Sequence, residues 1–153
     1  MPMKKFRFRL EKVLQLKSHL EADKQKQLAL ATQKVIRQIS AIDEIDRVRT
    51  DCKNDERKRL TGNINPRHLL TFSRYFLQLK KDEVKGQAVL GALKGEEGKR
   101  RQDLVEATKQ RKIYEKLKER RHQAYREENA RAEQKDQDEM AAQSFLKIKA
   151  SGR

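Results

Sequence analysis

Apolar residues recur every three or four positions from the start of the chain. They run Phe6, Leu10 and Val13, fade at Lys17, return at Leu20, and fade again around Lys24. From there the stripe is Leu28, Ala31, Val35, Ile39, Ile42, Ile45, Val48 and Cys52. No Gly or Pro interrupts residues 5 to 60. Sustained 3-4 spacing with a narrow apolar seam predicts one helix over residues 4–60 that needs a partner helix. At 1.5 Å per residue it would extend roughly 85 Å.

A stop follows. Gly62 suits a left-handed residue just past the helix end. Asn65 is a helix N-cap, Pro66 fits the first helical position, and Ile64 with Leu69 occupy the positions of a hydrophobic staple. The turn is therefore placed at 61–65, and so short a connection predicts an antiparallel second helix.

That helix reads on two seven-residue tracks. One is Phe72, Leu79, Gly86, Leu93, Arg100, Ala107, Tyr114 and Arg121; the other is Phe76, Glu83, Leu90, Glu97, Leu104, Arg111, Lys118 and Tyr125. Half of these positions are polar, so the seam is loosely specified. Gly86, Gly91, Gly95 and Gly98 make residues 86–98 either a soft point in one helix or a true break, since each glycine costs about 1 kcal/mol in a helix interior. The helix is expected over 66–147, with a tail at 148–153. With the turn near 63, residue i faces residue 127 minus i, so Phe6 lies near Arg121 and residues 123–147 overhang.

Composition narrows the class to all-α: a single coiled-coil domain over 1–153, two long helices in an antiparallel hairpin. Charged residues make up 40% of the chain and hydrophobic ones 35%, with no Trp and two Pro. This suits a thin helical pair and excludes a sheet-based enzyme core. Cys52 is alone, and His19, His68 and His122 are scattered without ligand-spaced partners. No apolar run approaches a membrane span, and the basic start lacks the apolar core of a signal peptide, so a cytoplasmic protein is expected. Gly91 to Lys99 lacks the spacing of a phosphate loop, and Lys94, Glu96 and Glu97 make Gly91-x-x-x-Gly95 no membrane dimer motif. No catalytic set, metal site or cofactor site can be assembled.

The formal charge is +15, unevenly spread. Lys4, Lys5, Arg7 and Arg9 open the chain, and residues 99 to 122 carry ten bases against four acids. Antiparallel pairing brings these stretches together. They read as a solvated face, a dock for an acidic protein, or a nucleic-acid surface. The overhang is acidic, with six acids against three bases between Gln123 and Gln143. Near the turn, Leu69, Leu70, Phe72, Tyr75, Phe76, Leu77 and Leu79 exceed what a two-helix seam buries. They read as a small local core capping the turn or as an exposed aromatic docking patch.

The opening Phe6-Arg-Phe-Arg-Leu-Glu-Lys-Val-Leu14, with Tyr114-Glu-Lys-Leu-Lys-Glu-Arg-Arg121, Tyr125 and Glu133-Gln-Lys-Asp-Gln-Asp-Glu139, resembles the flagellar FliJ family of the bacterial type III export apparatus. The resemblance implies an antiparallel coiled coil similar to the central stalk of rotary ATPases. It implies binding within the ring of the export ATPase FliI, promotion of its assembly, contact with the export gate protein FlhA, and interaction with export chaperones. Such a protein would be non-enzymatic and peripheral at the inner face of the membrane at the flagellar base, reaching the membrane only through partners. The family's gate contact would map to Tyr75 and Leu79, with Asp82 standing where a small apolar residue is expected. Lys4, Lys5, Arg7, Arg9, Lys116, Lys118, Arg120 and Arg121 are the expected ring contacts. The alternative is a basic coiled-coil nucleic-acid-binding or scaffold protein.

Overall fold

The computed structural model describes residues 5–151. The fold is all-α: helix α1 covers Glu11–Arg59 and helix α2 covers Pro66–Ser151, with no strand among the described residues. The helices pair antiparallel within two compact units, Glu21–Ala107 and Met1–Leu20 with Thr108–Arg153.

The turn is built largely from its side chains. Asn65 Oδ1 accepts the Arg67 amide at 3.1 Å, so Asn65 caps α2 and Pro66 opens it. At the end of α1, the Thr61 hydroxyl donates to the Lys58 carbonyl at 2.6 Å, while Arg57, Lys58 and Arg59 oppose the negative end of the helix dipole. Gly62 is not left-handed, for no described glycine has positive φ. The Thr61 hydroxyl takes over the carbonyl that a left-handed glycine would have served.

In the Glu21–Ala107 unit the two helices run close to the expected register. Arg100 donates to Gln27 at 3.0 Å and Lys24 pairs with Asp103 at 3.6 Å, both on the rule of 127 minus i. Thr32 donates to Glu97 at 2.8 Å. Nearer the turn, Arg49 bonds Glu83 at 2.8 Å instead of meeting Gln78, its counterpart on that rule. Helical side chains lean toward their own N-terminus, so a long arginine reaches a partner further along the opposing chain. Glu83 also takes the Lys80 ammonium at 3.0 Å. That bond, ahead of the charge of Arg49, holds its carboxyl below the usual range.

Ala31, Val35, Ile42 and Leu79 are the buried apolar residues of this unit. The polar half of the seam is real: Gln38, Arg49, Glu83 and Glu97 are half-buried in it. Leu20 and Ile39 face solvent instead, because the packing keeps its seven-residue period through Glu21 and Gln38.

Helix α2 passes through residues 86–98 without a break. Gly86 has a packing reason: a Cβ there would lie 3.1 Å from Ile42 Cγ1, and Gln38 Nε2 donates to its carbonyl at 3.0 Å. Around Gly91, Gly95 and Gly98 the space is open. Replacing those three together by alanine is expected to raise stability by about 2 kcal/mol, seen as a higher urea midpoint. Gly86→Ala is expected to gain less than any of them, because Ile42 must move.

The second unit contains the largest departure from the sequence pattern. Helix α1 starts at Glu11, not residue 4, and Lys5 to Phe8 lack regular structure. Phe6 is half-buried and Phe8 only 7% exposed, while Arg7 and Arg9 face solvent. This period-two alternation suits an extended chain, since a helix would send Phe6 and Phe8 to different faces. Phe6 packs edge-on against His122 at 5.0 Å and tilted against Tyr125 at 5.6 Å, close to its expected partner Arg121. Within α2, all described side chains from Arg131 to Ile148 are exposed, and the helix continues past residue 147 to Ser151.

Candidate docking surfaces

The first candidate surface lies in the unit holding the extended strap. Because Phe6 and Phe8 turn inward, Arg7 and Arg9 project outward beside the first turn of α1. Lys118 of α2 bonds Glu11 at 2.7 Å, fixing that turn against α2. Both partners are about two-fifths exposed, so the pair is worth no more than about 1 kcal/mol and serves mainly to set register. Arg7, Arg9, Lys12 and Lys118 line one open cleft in which Glu11 is the sole acid. Lys5, Lys116, Arg120 and Arg121 are exposed in the same unit. Lys4, also expected here, lies outside the described residues.

Of the expected cations among the described residues, Lys118 is the one paired with an acid, while Arg7 and Arg9 are turned outward by the aromatic strap. Lys12 was not singled out from the sequence. The signal that could have found it was the Phe-x-Phe alternation, which marks where the helix begins and which side of its first turn faces out.

The second candidate surface lies beside the turn. Ile64 and Leu69 are exposed and line a shallow cavity of about 230 Å³ with Leu60 and Phe72. Phe72 and Phe76 are half-buried in the seam, with the Lys53 ammonium 6.0 Å above the Phe76 ring. Tyr75 is 46% exposed and Leu77 61%, whereas Leu79 is 8% exposed. The pair expected from the resemblance is therefore split. Tyr75 is offered to solvent; Leu79 is core, and can act on a partner only by holding the exposed residues in place.

Tyr75→Ala is thus expected to leave the urea midpoint nearly unchanged, while Leu79→Ala lowers stability by about 2–4 kcal/mol. Equal effects of the two substitutions on that midpoint would show that Tyr75 is core as well.

Among the described residues no group of three His, Cys, Asp or Glu could hold a metal ion, and no helix is long and apolar enough to cross a membrane.

Residues 6–149 match a family of known proteins described as "Flagellar FliJ protein". Among solved structures, the chain is similar to a protein described as a YscO homolog from Chlamydia trachomatis. The two are 20% identical, with 97% of this chain and 100% of that one covered and a TM-score of 0.46. No curated protein matches the chain.

Proposed function

Since the chain belongs to the flagellar FliJ family and so to the type III export apparatus, we propose that it acts there as a non-enzymatic coiled-coil adaptor of the export ATPase. In this reading the cationic strap unit enters the FliI ring and promotes its assembly and turnover. Tyr75, supported from below by Leu79 and flanked by Leu77, meets the gate protein FlhA. Export chaperones are the remaining partners, and the protein sits at the inner membrane face through these contacts alone.

The observation that carries the reading is the concentration of outward-facing cations beside the aromatic strap. Arg7 and Arg9 are fixed outward by two inward aromatics, in the same unit as exposed Arg120 and Arg121, and Glu11, the acid of the strap's cleft, is already paired. Such an array steers association with an acidic protein surface and sets its orientation. Docking of this kind requires neither a catalytic constellation nor an enclosed pocket.

Mixing the purified chain with the export ATPase tests the proposal. A rise in ATP hydrolysis together with co-sedimentation is the expected result. Absence of both, or tight binding to duplex DNA with a steep salt slope at about 0.15 M salt, overturns it.

A further inference from the structure

We propose that the C-terminal part of α2, residues 127–148, docks lengthwise on the outer face of α2 between Leu77 and Val105 of a second copy of this chain. The inference is independent of the export reading and rests on two exposed faces of opposite charge.

The receiving face is a second ladder on α2. Leu77, Val84, Gly91, Gly98 and Val105 recur every seven residues, two positions away from the seam residues Leu79, Gly86, Leu93 and Arg100. Two residues are about 200° of helical turn, so this ladder points away from α1. Leu77, Val84 and Val105 are all among the exposed large apolar residues. Between them the glycines leave open space where a Cβ would stand, which lets another helix approach closely. Lys81, Lys94 and Lys99 flank the ladder and are exposed.

The arriving face has matching chemistry. Met140, Phe145, Leu146 and Ile148 are exposed, Phe145 at 68%. Ala130, Gln134, Gln137, Ala141, Phe145 and Ile148 follow one another at three- and four-residue steps, giving an uncharged helical stripe. Glu127, Glu133 and Asp138 border it, with Arg131 the one base beside them, and residues 127–139 carry six acids against two bases. An apolar stripe with basic margins thus meets an uncharged stripe with acidic margins. The two faces are different patches, so the contact is head-to-tail and each copy can both give and receive.

Sedimentation equilibrium of the full chain is the test. Mass is expected to rise with concentration, and association to weaken at least tenfold between about 0.05 M and 0.5 M salt. Lys81→Glu with Lys94→Glu and Lys99→Glu should be monomeric. So should Glu127→Lys with Glu133→Lys and Asp138→Lys. Mixing these two variants should restore association, since each reversed face then meets its complement. Gly91→Leu with Gly98→Leu should keep full helicity yet fail to associate. A chain that stays monomeric at every concentration overturns the proposal. Charge variants that associate like the parent overturn it in favour of helix exchange through the seam. A monomeric chain that floats with anionic vesicles overturns it in favour of a lipid surface.

Discussion

Replacing Ile42 by aspartate is expected to remove the cooperative thermal transition of the Glu21–Ala107 unit. Ile42 is one of four buried apolar residues there, and it lies against the backbone of α2 at Gly86. Losing its side chain costs about 2–5 kcal/mol through lost burial and the void left behind. Placing a carboxylate under the helix pair adds the cost of an unpaired charge. A paired-helix unit with so thin a core has little stability to lose, and the whole of it is comparable with this loss. The measurement is the helical circular dichroism signal followed through a melt. Ile36→Asp, on the same helix but at an exposed position, is the control, expected to change stability by no more than about 0.5 kcal/mol. Equal shifts in the two variants would show that Ile42 is not core.

Reversing Arg7, Arg9, Arg120 and Arg121 to glutamate is expected to have the largest functional effect. Half-maximal stimulation of the export ATPase should then need roughly 100-fold more protein at low salt. Single exposed pairs contribute about 0.2–1 kcal/mol, so the loss depends on four acting together and on lost steering. The gap between parent and variant should narrow as salt shortens the reach of the charges. Reversing Lys26, Lys34, Arg37 and Arg57 changes the net charge equally while leaving the strap unit untouched, and is expected to cost far less. If both sets act alike, the total charge of +15 matters and its placement does not.

The hairpin was legible because its seam repeats at seven residues and its turn carries Asn65 and Pro66. Nearly every position of the two α2 tracks is half-buried or buried, Arg121 being the exposed one. What the pattern misplaced on α1 has one cause. Following the apolar residues led to Leu20 and Ile39, whereas the packing follows its period into Glu21 and Gln38. A polar side chain is tolerated there when the opposing backbone offers it a bond, as the Gly86 carbonyl does for Gln38. Which residue offers that bond is a property of the partner helix, invisible in α1 alone. The strap was missed for a related reason: Phe6, Leu10 and Val13 fit a helical step, and only Phe8 between them speaks against it. At the turn, seam membership already argued that Leu79 is core, and the resemblance argued for contact. The burial of Leu79 separates those two readings.

The antiparallel seam also sets an order of events during synthesis. The Arg49–Glu83 contact spans 34 residues of chain, Thr32–Glu97 spans 65, and Arg100–Gln27 spans 73. Each contact is cheaper to close once the shorter one before it has formed, so pairing zips outward from the turn. Phe6 comes last. Its ring cannot find His122 and Tyr125 until α2 has been made past Tyr125, so an aromatic synthesised well ahead of the turn is buried only long after it.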